Sequence, residues 1–111
     1  MPYDLQLADR IRAFLRDEDG VTEKRMFGGL AFLVGGRLAV AASGRGGLLV
    51  RVAPDDAEDR LGEPGVEPFL MRGREVGGWL LVDVGAVATD EGLAEWVTLG
   101  VDHARSQPPR G

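Results

Sequence analysis

The side chains in this chain that could do chemistry are mainly arginines and carboxylates. Arg25, Arg51, Arg72 and Arg74 could gather into a small anion-binding or acidic-partner surface, because a guanidinium presents a planar fork of hydrogen-bond donors. They are spread over three predicted elements, however, and this scatter favours solvated surface charge. We therefore predict solvated surface charge, with contact to an anion at Arg51, Arg72 and Arg74 as the alternative.

The other reactive candidates are a single histidine and one isolated acid. His103 lies near the end of the last predicted helix, where an imidazolium suits the negative end of the helix dipole. The sequence identifies no nucleophile or carboxylate partner for it, so we predict a structural or solvent-facing role. Asp83 interrupts an apolar run, but glycosidase or metal chemistry needs a second positioned group. We predict that Asp83 caps a turn or lies on an edge strand.

Composition excludes several classes of function. The chain has no cysteine, which excludes disulfides, thiol catalysis and zinc sites of the cysteine type. Its glycine-rich pieces lack the order of a dinucleotide fingerprint or a phosphate-binding loop, and they lead into strands rather than helices. A net charge of −5 argues against binding to a phosphate backbone. We therefore predict no cofactor, no metal site, no catalytic residues and no direct contact with nucleic acid.

The most distinctive stretch is Arg25-Met26-Phe27-Gly28-Gly29. We predict that it connects the first helix to the first strand, with Met26 and Phe27 packed under the edge of the sheet. The two glycines would let the chain turn, or would let another backbone approach closely. Arg25 is the residue that folding explains least, so a contact function is expected at its guanidinium and at an exposed edge of Phe27.

Hydrophobic period and chain-breaking residues predict the elements that position these side chains. Helices are expected over residues 4–18, from Pro54 to the breaker Gly62, and from Thr89 or Asp90 to Arg105. Strands are expected over residues 30–34, 38–43, 48–53, 67–71 and 78–84. The pair Gly35-Gly36 lies between two apolar runs and predicts a tight hairpin.

This order, α-β-β-β-α-β-β-α, predicts an α+β fold with two layers, a five-stranded antiparallel sheet and helices. The length suits a single domain, assigned to residues 1–107, with a disordered tail at 108–111. No run is long and apolar enough to cross a bilayer, and the N-terminus lacks the pattern of a secretion signal, so we expect a cytoplasmic protein without membrane contact.

The predicted strands are apolar on both faces, which raises two alternatives. Leu48 and Val50 would share one face, while Leu49 would point to the other. Helices on one face alone would leave apolar surface exposed, and this predicts a homodimer. The alternative is a bent sheet whose second face is covered by loops of the same chain.

Several segments in order resemble the N-terminal domain of the TfoX/Sxy family of competence regulators. They are Arg25-Met26-Phe27-Gly28-Gly29 with Phe32, Arg37-Leu38-Ala39, Leu48-Leu49-Val50-Arg51, Pro68-Phe69, Gly78-Trp79 and Trp96. The resemblance spans about residues 7 to 107. It implies a fold similar to secretion-chaperone-like α+β domains. It brings no established catalytic residues. Full-length members are similar to coactivators that act with the cyclic-AMP receptor protein and carry a second, helical domain, for which residues 1–111 show no counterpart.

From this resemblance we predict a non-enzymatic protein-interaction module that acts through a protein partner. The resemblance implies that this partner is a transcription factor. The alternative is a small-ligand or anion-binding protein, or an unrecognised small enzyme, that uses the arginines with Asp83 or His103. Direct DNA binding is the third hypothesis.

Overall fold

A computed structural model describes residues 3–26 and 28–107. The predicted tail at 108–111 lies outside the described residues. The elements are α1 Leu5–Phe14, β1 Val21–Met26, β2 Gly29–Val34, β3 Arg37–Ala42, β4 Leu48–Arg51, α2 Pro54–Arg60, β5 Val66–Met71, β6 Arg74–Val82, a short 3-10 helix Val84–Val87, and α3 Asp90–Ser106.

The three α-helices begin where their capping signals predict. Asp4 caps α1, since its Oδ1 accepts a hydrogen bond from the N–H of Leu7 at 3.1 Å. Thr89 caps α3 in the same way, through Gly92 at 3.0 Å. Helix α1 ends at Phe14 rather than at residue 18, because the acidic run that follows opposes the dipole at that end. None of the helices in the described part of the chain combines the length and apolar character needed to span a bilayer.

The α+β prediction is confirmed, but the sheet has six strands and not five. All neighbouring strands are antiparallel, in the order β1-β2-β3-β4-β6-β5. The additional strand is β1, which the sequence analysis assigned to no helix or strand; most of its residues are polar and exposed, so it lacks the apolar pattern that predicts a strand. Gly35 and Gly36 form the predicted hairpin loop, with φ of 61° and 82°.

Strand β6 begins four residues earlier than predicted and ends two residues earlier. The reason is that the loop between β5 and β6 contains only Arg72 and Gly73, both with positive φ, so that Arg74 already pairs with Met71. At its other end, Asp83 leaves the strand and caps the 3-10 helix instead.

The main core lies between one face of the sheet and the three helices. Its largest fully buried side chains include Phe32, Leu48 and Leu80 from the strands, with Ile11 from α1 and Leu93 from α3. Burial of several such side chains, each contributing about 1.5–3 kcal/mol, accounts for most of the favourable free energy of folding. The apolar stripe predicted for α3 is confirmed in this core.

The second face of the sheet has a small core of its own. Its buried members are Ala31, Leu38, Ala41, Leu49 and Phe69, and partly buried side chains from both edge strands pack against them. Much of this face is therefore buried within the chain by side chains of its own strands, while the predicted bend and the cover by loops stay predictions. Homodimerisation stays a prediction, but an exposed apolar sheet face no longer supports it.

Candidate functional site

The distinctive Arg25–Gly29 segment is a β-hairpin, so its prediction as a connection from helix to strand was wrong. Arg25 and Met26 end β1, and Gly29 begins β2 opposite Met26. Gly28 lies in the turn between them. Phe27 lies outside the described residues, so its predicted packing and contact roles stay predictions.

The two glycines of this hairpin meet the turn between β3 and β4. Gly28 has a φ of +77°, which favours glycine. A Cβ on Gly29 would lie 2.2 Å from the carbonyl oxygen of Ala42 and 2.9 Å from the nitrogen of Gly44. A Cβ on Gly44 would in turn lie 2.7 Å from the carbonyl oxygen of Gly28. The close backbone approach expected for this pair is thus confirmed, and the glycines serve the architecture.

Lys24 and Arg25 at the end of β1 are exposed cations. Neither side chain makes a hydrogen bond or an ion pair with another residue in the ranges 3–26 and 28–107. Other arginines near the helices are paired: Arg10 with Asp90 at 3.3 Å, for example, and Arg105 with Glu18. Folding therefore accounts for the glycines of the hairpin and leaves its two cations available for contact.

Glu23, two residues before Arg25, ties β1 to α1. Its carboxylate accepts two hydrogen bonds from Arg12, at 2.7 and 2.8 Å. Arg12 also contacts Asp9 at 2.7 Å and lies over the ring of Phe32. The hydrogen bond from Arg12 lowers the pKa of Glu23 below its usual value, so Glu23 is negatively charged at neutral pH.

The outer edge of β1 carries backbone groups that no described strand pairs. Gly20 lies in the same register as β1, and its carbonyl accepts a hydrogen bond from Gly35 at 3.1 Å. Hydrogen-bonded and non-hydrogen-bonded pairs alternate along an antiparallel ladder. The N–H and C=O groups of Val21, Glu23 and Arg25 therefore point away from β2. This edge, residues 21–26 with the side chains of Lys24 and Arg25, is called the open edge below.

The predicted cluster of arginines is not assembled around a single point. Arg72 and Arg74 lie together at the exposed tip of the β5–β6 hairpin. Arg51 ends β4 opposite Trp79, five residues along β6 from Arg74. At about 3.3 Å per residue these two positions are roughly 16 Å apart along the strand. One small anion would not contact all three side chains.

Asp83 lines a cleft with a volume of about 370 Å³. Its carboxylate accepts a hydrogen bond from the N–H of Gly85 at 2.9 Å, which confirms the predicted turn-capping role. Glu67 and Arg45 line the same cleft, and the guanidinium of Arg45 lies 4.7 Å from the centre of the Phe69 ring. The cleft thus places one cation and two carboxylates around a shallow opening.

His103 lies on α3 and is partly buried. Burial lowers its pKa, and the nearby charge of Arg51 lowers it further, against a smaller opposing effect of Asp56. The neutral imidazole is therefore favoured at neutral pH, and no ion pair with a described carboxylate holds it charged. In the same ranges of the chain, no three side chains of histidine or acidic residues are grouped so that they could hold a metal ion.

Sequence reasoning missed the open edge and Arg45. Val21 and Thr22 are β-branched residues directly after Gly20, which is a weak signal for a strand. A prediction of a hairpin turn at Gly28 would have required β1 as its first arm. Arg45 occupies the centre of a glycine-rich turn, where a long side chain can fold back over the sheet.

One of three comparisons with known proteins relates this chain to a family. The model of the TfoX N-terminal domain family matches residues 13–104, which include the open edge, all six strands described and most of α3. Neither the comparison with curated proteins nor the comparison with solved structures found a match.

Proposed function

The chain belongs to the TfoX N-terminal domain family, and we propose from this that it is a non-enzymatic interaction module of the cytoplasm that acts in transcriptional regulation through a protein partner. The regulatory character comes from the family. The proposed mode of action is recognition of another protein chain, with no chemical step.

The single observation that carries this proposal is the open edge. A solvent-exposed strand with unpaired N–H and C=O groups is a template for pairing with another chain, and natural proteins usually block such edges. Here the edge carries Lys24 and Arg25 without partners among the described residues. An extended segment with acidic side chains would satisfy both the backbone groups and the two cations.

Charge supports a protein rather than a nucleic acid as the partner. Binding to a phosphate backbone draws on many cations that release counterions, and the affinity grows with their number. This chain has a net charge of −5, and the open edge contributes two adjacent cations beside Glu23. A surface with both signs of charge is better matched by a protein segment with complementary charges than by a uniformly negative phosphate backbone.

The clefts support recognition more than catalysis. The carboxylate of Asp83 in its cleft already accepts a backbone hydrogen bond, and His103 is not one of the residues that line that cleft. A general acid or base would need a partner placed within hydrogen-bond distance of the reacting group. These contacts favour structural roles for both side chains.

A comparative capture experiment tests the proposal. The tagged wild-type chain and the double variant Lys24→Glu/Arg25→Glu are expressed in the source cells, crosslinked and purified. We expect the variant to recover at least about fivefold less of a specific protein, because the swap replaces two attractive contacts with repulsive ones. The measurement is quantitative mass spectrometry of the captured proteins.

The matched control is Arg72→Glu/Arg74→Glu, which makes the same change in charge at the tip of the β5–β6 hairpin. Both variants are first checked by circular dichroism for an unchanged fold. The proposal predicts that the control captures the same protein as the wild type. Equal capture by both variants, or no protein above background after crosslinking, would contradict it.

A further inference from the structure

We propose that the open edge pairs with the open edge of a second copy of this chain, in antiparallel orientation and with a two-fold axis at Lys24. The two sheets would then join into one twelve-stranded sheet. This inference shares with the proposed function only the premise that the open edge contacts another chain. It names a second copy of this chain as that partner.

The backbone of β1 is arranged for this pairing. The outward N–H and C=O groups belong to Val21, Glu23 and Arg25. With the axis at Lys24, Glu23 of one copy faces Arg25 of the other, and these are residues whose backbone groups point outward in both copies. Each of the two Glu23–Arg25 pairs can therefore exchange two backbone hydrogen bonds.

The side chains select the same register. A two-fold axis perpendicular to the sheet places the same face of both copies on the same side, so Glu23 and Arg25 lie together on the helix-bearing face. Their pairing gives two opposite-charge contacts across the interface, and one like-charge contact occurs between the two Lys24 side chains. An axis at Glu23 would instead oppose two carboxylates and give no opposite-charge contact.

The other edge of the sheet explains why the assembly stops at two copies. Strand β5 contains Pro68, which has no N–H to donate, and its pairing with β6 is irregular between Pro68 and Leu70. β1 has no proline, and its six residues pair with β2 in a regular register. Pairing of β1 with β5 would form an open chain, whereas pairing of β1 with β1 closes at the dimer.

The interface is small, because it consists of one six-residue strand from each copy and the side chains beside it. Interfaces well below about 1,200 Å² are characteristic of weak association. We therefore expect a reversible dimer that forms in the range from about 10 μM to 1 mM.

Sedimentation velocity of the full chain over this concentration range tests the inference. Arg25→Glu replaces two attractive contacts with two repulsive ones and is expected to weaken the dimer about tenfold or more. The double variant Glu23→Arg/Arg25→Glu recreates opposite charges with the order exchanged, and is expected to recover part of that loss, since it also gives up the contact of Glu23 with Arg12. Lys24→Gln removes the repulsion at the axis and is expected to tighten the dimer about threefold.

The control is Arg74→Glu, which changes the net charge as Arg25→Glu does but lies on the other hairpin. It should dimerise like the wild type. For any charge variant that does not fold, Arg25→Pro is the alternative, since proline there removes an outward N–H without touching the ladder to β2. A wild type that stays monomeric up to about 1 mM, or a dimer that Arg25→Glu or Arg25→Pro does not weaken, would overturn the inference.

This experiment separates the inference from the proposed function. A monomeric chain that still captures a specific protein through Lys24 and Arg25 overturns the dimer and leaves the proposed function standing. A charge-sensitive dimer in a chain that captures no other protein supports the dimer and contradicts the proposed function.

Discussion

Replacing Gly29 by alanine is expected to destabilise the protein by about 2–3 kcal/mol and to lower its melting temperature by about 10 °C. The added Cβ would lie 2.2 Å from the carbonyl oxygen of Ala42 and 2.9 Å from the nitrogen of Gly44. Both are backbone atoms, one at the end of β3 and the other in the turn that follows it, so neither can move away as the end of a flexible side chain could. The β1–β2 hairpin would have to separate from that turn.

Gly77→Ala is the matched control for this prediction. Gly77 is also a strand glycine with ordinary φ, but no atom lies within 4 Å of the position of its added Cβ. We expect a change in unfolding free energy of less than about 1 kcal/mol, measured by thermal and urea denaturation. If Gly29→Ala melts within about 2 °C of the wild type, the close approach of the two turns is contradicted.

Gly100→Ala is expected to destabilise the protein by about 1–3 kcal/mol, although alanine is the better helix former by about 1 kcal/mol. Gly100 lies in the middle of α3 and is buried against β3. Its added Cβ would lie 2.5 Å from the carbonyl oxygen of Ala39 and 2.9 Å from Cγ1 of Val40. The clash outweighs the gain in helix propensity, because α3 would have to move away from the sheet.

Thr98→Ala in the same helix provides the control. Thr98 is exposed, so its replacement changes helix propensity with little effect on packing, and a gain of a few tenths of a kcal/mol is expected. Urea denaturation should therefore give opposite signs for two substitutions to alanine that are two residues apart. A stabilising Gly100→Ala would show that α3 and β3 are farther apart than the structure places them.

Most elements of the fold could be predicted from local signals. Helix caps at Asp4 and Thr89, a proline at the start of α2 and the Gly35-Gly36 loop each act through their own backbone, so the sequence carries them directly. The antiparallel α+β class followed from these signals and is confirmed.

The missed strand β1 shows the limit of the same reasoning. Periodicity detects a strand by an apolar face, but Thr22, Glu23 and Lys24 are exposed because β1 lies at the edge of the sheet. Its pairing with β2 depends on the hairpin turn at Gly28. Lys24 and Arg25, which the hydrophobic pattern of a strand does not explain, are the residues proposed to contact another chain.

Tertiary arrangement decided two further outcomes. Whether Leu49 and Phe69 are exposed depends on how far the sheet bends, and the sequence left that question open. The distance between Arg51 and Arg74 depends on the length of β6, which begins before its predicted first residue. The sequence around Gly100 did not predict its close contact with β3, because such a contact depends on how two elements pack against each other.

The central claim is that the open edge of β1 is where this domain meets other protein chains. Site-resolved amide hydrogen exchange by NMR tests it most directly, in a dilute sample and in one at about 1 mM. We predict that the amides of Glu23 and Arg25 exchange rapidly in the dilute sample and become protected in the concentrated one. Those of Thr22 and Lys24, bonded to β2, should be slow in both. Equal protection of all four amides in the dilute sample would contradict the claim, because the edge would then not be open, whereas rapid exchange of Glu23 and Arg25 at both concentrations would overturn only the pairing of two copies.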